Sequence, residues 1–472
     1  MRSLRLGWTV VLCLPLLVGC EAGTRPATRR VVPPGQGRLV VTLNGPERSP
    51  IDLTAELTGL MLHARGGGWA EIPIAPVRLN SLEMVRRQLP IVDAPVLSGQ
   101  YDQMRLKFGK ASVRQEGKTV DLSVPPDGIT IGVSVDLEPD SLTPLFITWD
   151  VERAIEREVF LAAAFTVEGK EPELRTVVAY VTNEESGTMS VVDRTKDRVV
   201  STIQVGRAPR AVVATPDIRR AFVLNGGGDS ITVIDPSTNR ALHTFNIEVH
   251  AQAREMALSP RGQTLYVANT ALNSVSVIDA ETLSPTATIP VGISPSALAV
   301  DQRGARLLVA NQGSNTITVI DTFANRVVTT TPVDPGPVHI AVDETSGLDR
   351  AFVASPLSTF ISVIDTSTGQ VVRRLNVGPG AVASLPDRTP NRLFVVKELQ
   401  SRVTLFVMNL NVELGSVQVG GKPFRIALDP TRDKLYVVNR EAGSVTVLDR
   451  VSRRVERTIP VGKRPYGVAI LR

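Results

Sequence analysis

The stretch Ala179-Tyr-Val-Thr-Asn-Glu-Glu-Ser-Gly-Thr-Met-Ser-Val-Val-Asp193 decides the fold, because it recurs. Ala221–Asn225 leads to Ser230–Asp235, Leu265–Asn269 to Ser274–Asp279, and Leu307–Asn311 to Thr316–Asp321. Ala351–Ser355, Leu393–Lys397 and Leu435–Asn439 follow, their second runs closing at Asp365, Val407 and Asp449. The closing position thus falls at 193, 235, 279, 321, 365, 407 and 449, in steps of 42 or 44 residues. A fixed period of this size marks a repeat architecture.

Each repeat holds four short runs rich in Val, Ile, Leu and Thr. In the second they are Pro209–Ala214, Ala221–Asn225, Ser230–Asp235 and Ala241–Ile247, separated by Gly, Asp, Asn, Ser and Pro. Four strands at this period make one propeller blade, so seven copies predict seven blades. The array opens at a second strand, Val177–Asn183, and ends with a first strand, Pro465–Leu471. The C-terminal strand is therefore expected to complete the N-terminal blade and latch the ring, leaving only short edges unpaired.

Tyr180-Val-Thr-Asn183 resembles the motif of the YVTN family of bacterial β-propellers, and the Val-Gly-x-x-Pro joints at Val205–Pro209, Val291–Pro295 and Val461–Pro465 are similar to it too. The resemblance covers residues 172–472 and implies a seven-bladed propeller. It leaves function open between a binding scaffold, a lactonase-like or quinone- or haem-associated enzyme, and a single-stranded nucleic acid binder, since fold does not fix function.

The chain begins with an apolar core, Trp8–Leu17, behind Arg2 and Arg5, as a secretory signal does. Leu17-Val-Gly-Cys20 resembles the lipobox of bacterial lipoproteins. That resemblance implies cleavage after residue 19 and acylation of Cys20, which anchors the protein to a membrane. Cys13 leaves with the signal, so no disulfide or free catalytic thiol is expected. Glu21 does not resemble the Asp retention signal of the inner membrane, which favours the outer membrane. Residues 20–36 lack apolar periodicity and read as a lipidated flexible tether.

Residues 37–168 read as a separate small β-sandwich, with runs at Gly37–Leu43, Gln103–Phe108, Ile129–Val135, Leu145–Trp149 and Val159–Val167, and a short helix at Ser81–Leu89. Gly37–Leu43, Leu97–Leu106 and Ile147–Glu152 resemble a domain of unknown function found near the N-terminus of bacterial lipoproteins. Asp150 and Glu152 alternate with Trp149 on a strand edge and are read as a solvated face rather than a catalytic acid pair. The whole is all-β: a small β-sandwich followed by a seven-bladed β-propeller closed by its C-terminal strand.

Composition narrows the function. Removing Arg2 and Arg5 from the 52 basic residues leaves 50 against 47 acidic ones, too even a balance to imply nucleic acid by itself. Aromatic residues make up 4%, too few for base-stacking platforms. There is no Cys-x-x-Cys-His for covalent haem, no Gly-x-Ser-x-Gly, no His-Glu-x-x-His and no phosphate loop. The four histidines, His63, His243, His250 and His339, are not spaced as metal ligands. No catalytic residue, metal site or cofactor is assigned, and the expected role is non-catalytic binding.

The repeated columns read as scaffold. The Asp column faces turn sequence such as Asp235-Pro-Ser-Thr-Asn239, whose backbone N–H groups it can accept from. The Asn column (Asn183, Asn225, Asn269, Asn311, Asn439) opens a turn. Val213, Ala257, Ala299, Ala341, Ala383, Ala427 and Ala469 form a small column, each preceded by a large apolar residue, and both columns suit face-to-face packing of blades. Repeats five and six depart most, with Ser355 and Lys397 in place of Asn.

Function is sought where repeats differ. The loops before the first strands carry Arg207 and Arg210, His250 and Arg254, His339, Lys422 and Arg425, and Lys463. A propeller gathers these loops around the mouth of its central channel, where a ring of cations attracts an anionic small molecule or an anionic face of a protein partner. Glu184, Glu185, Glu255, Glu398 and Glu441 share that face and offer partners to the same cations.

Overall fold

The structure is a computed structural model describing residues 35–46, 48–85, 87–115, 117–156, 159–160, 164–168, 178–343 and 349–471. The signal, the lipidation site Cys20 and nearly all of the tether lie outside the described residues.

The first part is built on two large sheets, with a two-stranded pair, Ile155–Glu156 and Val159–Phe160, beside them. Phe165–Glu168, Leu142–Trp149, Gln36–Asn44 and Gln88–Leu97 pair in that order, with Gln36–Asn44 and Leu142–Trp149 parallel. Asp52–Ala64 and the long strand Gly99–Gln115 centre the second, six-stranded sheet. Alternation puts Leu39, Val41 and Leu43 of one sheet and Leu53, Leu60 and Leu106 of the other into one buried cluster. Trp149 and Phe165 stack within it, ring centroids 6.2 Å apart.

Two expectations for this part change. Ser81–Leu89 forms no helix: residues 81–85 are turn, and Gln88–Leu97 is a strand paired along Gln36–Asn44. Asp150 and Glu152 lie at a short 3-10 turn, Val151–Arg153, rather than on a strand. Asp150 caps that turn by accepting from the Glu152 N–H, and Glu152 pairs with Arg48 at 3.1 Å.

Seven four-stranded antiparallel sheets follow as blades. Their first strands are Pro209–Ala214, Ala253–Leu258, Pro295–Val300, His339–Val342, Ala381–Pro386, Pro423–Asp429 and Pro465–Ile470, in blades 2 to 7 and then blade 1. Each of these strands touches the first strand of the next blade, and Pro465–Ile470 touches Pro209–Ala214, so the ring closes around its axis.

The closing strand belongs to blade 1. Tyr180 pairs with Ala469 and Val181 with Val468, and Leu471 N–H donates to Val178 O at 3.1 Å. Arg194, fully buried, donates to Leu471 O at 2.8 Å and pairs with Asp429 at 2.6 Å. One guanidinium thus ties the chain end, blade 1 and blade 7 together.

The Asp column behaves as expected of turn residues. Asp235 accepts from Ser237 N–H at 2.8 Å, and Asp279, Asp321, Asp365 and Asp449 accept likewise two or three residues on. The Asn column does more than open a turn. Asn225 is fully buried, donates to Ser230 and Thr232 at 3.2 and 2.9 Å, and accepts from Gly206 N–H at 3.0 Å. A Cβ at Gly206 would stand 2.5 Å from the Asn225 side chain, so the Gly of the joint exists to admit the Asn.

Blades 5 and 6 solve the same problem differently. In blade 5, Asp334 replaces the joint glycine and accepts from Ser362 Oγ at 2.6 Å, while Ser355 Oγ donates to Asp334 O at 3.2 Å. In blade 6, Lys397 is buried beneath Gly378, its ammonium 5.3 Å from the Phe406 ring centroid, and burial first of all pulls its pKa down. The expected small column also shifts here. Ala381 pairs with Lys397, and Ser384 and Leu385 pair with Val395 and Phe394. Leu385, not Ala383, therefore sits level with Val213, because Ala381 rather than Pro379 opens the strand.

Candidate functional site at the channel mouth

In four blades the residue in second place on a first strand, just after the opening position, belongs to the site. Three such residues are Arg210 of blade 2, Arg254 of blade 3 and Tyr466 of blade 1. Phe424 occupies the same place in blade 7, and its ring meets Tyr466 edge-on at 4.8 Å. This aromatic pair is the centre of the site.

Arginines close around it. Arg425 lies 4.3 Å from the Phe424 centroid and 5.5 Å from that of Tyr466. Arg440, from the turn after Asn439, lies 4.8 and 5.0 Å from the same rings, and Arg210 lies 5.9 Å from Tyr466. Arg254 Nε donates to Tyr466 OH at 3.4 Å, and its Nη1 to Gln312 Oε1 at 2.8 Å. Guanidinium over an aromatic face is favourable, and more so where water is excluded.

Two carboxylates answer these cations. Glu184 accepts from Arg210 Nε at 3.2 Å and from Arg440 Nη2, with Arg464 at 3.9 Å. Glu255 accepts from Arg425 Nη2 at 3.1 Å. Four arginines (Arg210, Arg425, Arg440 and the more exposed Arg464) therefore meet two glutamates, and Arg254 is held by Tyr466 and Gln312 instead, so arginines outnumber carboxylates around the aromatic pair. Among the described residues, Arg440 Nε is buried without a hydrogen-bond partner.

The anticipated cations divide into two sets. Arg210, Arg254 and Arg425 converge on the axis. Arg207, His250, Lys422 and Lys463 stay on exposed loop tips. Lys422 makes only a long pair with Glu441, at 3.9 Å, and His250 donates its backbone N–H to Asp229. His339 opens the first strand of blade 5 and is half-buried, with Nδ1 accepting from Ser384 N–H at 3.4 Å. Burial, and then the charge of Arg425, hold its pKa well below the usual 6.5, so it is neutral at pH 7 and adds no charge to the ring. Tyr466, Phe424, Arg440 and Gln312 are absent from the sequence reading. Their signal was present in the departure of Arg440 from the residues that follow Asn in other repeats, and in the alignment of Tyr466 with Arg210.

Among the described residues no three His, Cys, Asp or Glu side chains are grouped to hold a metal ion. Beside the site an open cleft of about 930 Å³ is lined by both signs of charge, Lys422, Arg440, Lys463 and Arg464 with Glu185, Glu398 and Glu441, and Pro90 of the first part also lines it.

The family model of YncE-like beta-propellers matches residues 173–344. No curated protein matches the chain. Among solved structures, the chain is similar to a functionally unknown protein from Desulfotomaculum acetoxidans, with TM-score 0.55 and 14% identity over 62% of this chain and 99% of that one. It is similar to dihydro-heme d1 dehydrogenase NirN in complex with DHE, with TM-score 0.51 and 11% identity over 64% of this chain and 77% of that one. For Kuenenia stuttgartiensis hydrazine synthase the values are 0.49 and 23%, over 55% and 88%. The propeller is thus similar to YncE-like bacterial propellers, and at these identities the likeness to solved structures is one of fold.

Proposed function

We propose that this chain is a lipid-anchored protein of the cell envelope, held at the outer membrane through Cys20, whose propeller is a non-catalytic binding scaffold for an anionic ligand or partner at the channel mouth. The observation that carries this reading is the excess of arginine around Tyr466 and Phe424. Arginine offers a planar fork of donors suited to carboxylate or phosphate, and the fork is not used up by Glu184 and Glu255. The low aromatic content and even charge speak against nucleic acid.

Two experiments test it. Citrate and pyrophosphate, as polyanionic probes, should bind the full chain in calorimetry, more weakly as salt rises, and Arg254→Gln with Arg464→Gln should weaken them. Equal binding by the variant places the site elsewhere. The substitution Cys20→Ser should abolish lipid labelling, since serine forms no thioether. Normal labelling would remove the anchor from the proposal.

A further inference from the structure

The loops around the channel mouth differ from one side of the ring to the other. Blades 7, 1 and 2 carry basic tips, among them Lys422, Lys463 and Arg207. Blades 3 to 6 carry aliphatic residues at their tips, with Glu248 and His250 flanking the first and Glu398 preceding the last: Val249 and Leu272 on blade 3, Ile293 on blade 4, Leu357 on blade 5 and Leu399 on blade 6. Leu357 and Leu399 are each 77% exposed, Val249 67% and Ile293 57%. Turn tips ordinarily carry Gly, Asn, Asp or Ser, and the homologous turns of blades 1, 2 and 7 do, with charges added. Single exposed aliphatic residues are common; these five share one face of four neighbouring blades.

The tips are held outward by local structure. Leu357 rests over Gly336 and Leu399 over Gly380, each glycine in the joint of the same blade with φ of +70° and +81°. With no Cβ beneath, each leucine lies across the joint with its outer side open. The departures of blades 5 and 6 from the repeat thus fall beneath these two leucines: Asp334 and Ser355 in one, Lys397 in the other.

The face is also walled. Pro90 of the first part stands beside Glu441 and Lys463 at the edge of the cleft. The arginine excess at the axis sets the sign of a partner's charge.

Building on the anionic-partner reading above, we propose that the face binds a segment of a protein partner that presents aliphatic side chains to blades 3 to 6 and carboxylates to the arginines at the axis. Leu357 and Leu399 are the apolar anchors. Arg254, Arg464 and Lys463 receive the acids.

Short synthetic peptides alternating Leu with Asp, Ser with Asp, and Leu with Lys test this on the full chain, alongside vesicles of phosphatidylcholine with phosphatidylglycerol. The Leu/Asp peptide should bind best. Leu357→Ser with Leu399→Ser should weaken it by about tenfold or more, the scale expected for burying aliphatic side chains. Val249→Ser with Ile293→Ser is a second pair should the first disturb folding, and it should weaken the same peptide in the same direction. Equal binding of the Ser/Asp and Leu/Asp peptides would overturn the apolar half and leave the anionic site standing. Failure of both acidic peptides would overturn the two together. Preference for the Leu/Lys peptide, or binding of vesicles without peptides, would overturn the proposal.

Discussion

Arg425 reaches across the central channel to Glu255: Nη2 of a blade 7 residue donates to Oε2 of a blade 3 residue at 3.1 Å. The two lie on opposite sides of the ring and 170 residues apart in the chain. The Arg425 side chain is 9% exposed and that of Glu255 17%.

A pair so placed is costly to break from one side. Glu255→Gln removes the charge and leaves Arg425 buried against Phe424, His339 and the other arginines. The loss should be about 3 kcal/mol or more, read as a lower denaturant midpoint with unchanged slope. Arg425→Met with Glu255→Met should recover part of it. A midpoint equal to the parent's for Glu255→Gln alone would show that the pair does not hold the ring across its axis.

The latch is a second target. Deleting Pro465–Arg472 removes the first strand of blade 1 and the Leu471 carbonyl that Arg194 binds. The edge of Val178–Asn183 would then be unpaired, and Arg194 would lose one acceptor in a fully buried site. Destabilisation on the order of several kcal/mol is expected, a large share of a domain's stability. Deleting Thr24–Val31 should cost little. Equal melting temperatures for the two deletions would mean that the ring does not depend on its C-terminal strand.

His339 supplies a dependence on pH. Its folded pKa lies well below 6.5, chiefly through burial and then through Arg425. As pH falls through 6.5 the unfolded chain takes up a proton that the folded chain refuses. Stability should therefore fall with decreasing pH, by up to about 1.4 kcal/mol per pH unit for this one group. The turn aspartates act lower. Hydrogen bonds hold Asp235, Asp279, Asp321, Asp365 and Asp449 below 3.8, so their contribution is present above that value and lost beneath it. His339→Gln should flatten the slope between pH 6.5 and the carboxylate range. Identical slopes for parent and variant would exclude His339 as the cause.

Gln88 docks the first part onto blade 1. Its Nε2 donates to Val199 O at 2.8 Å and its Oε1 accepts from Val199 N–H at 2.6 Å, so one amide side chain serves as a strand partner for a buried backbone unit. Arg38 supports the contact by donating to Ser186 O at 2.7 Å. Gln88→Leu leaves both backbone groups of Val199 unpaired, at a cost of about 1–3 kcal/mol. Limited proteolysis should then cut between the two parts sooner. Unchanged proteolysis and melting would show that the contact adds nothing.

The period of the repeat by itself determined the blade count, the four strands per blade and the phase that makes the chain end close the ring. Those features were legible because each follows from local physics repeated along the chain: alternation and turn residues in all seven repeats, and a Gly and an Asn at constant spacing in most of them. The two sheets of the first part were legible in outline, but not at Ser81–Leu89, where pairing with Gln36–Asn44 overrode any helical pattern. Only the tertiary structure decided which basic residues form a site. Arg210 and Arg254 reach the site from second place on a first strand and Arg425 from third place, whereas Arg207, three residues before Arg210, stays exposed. Arg440 and Tyr466 joined them from places no local pattern singled out, and Glu184 and Glu255 took up part of their charge. The reason is that a charge is defined by what faces it. In a closed ring those partners come from the opposite side of the channel, at sequence separations such as the 170 residues between Glu255 and Arg425 that carry no trace in either segment.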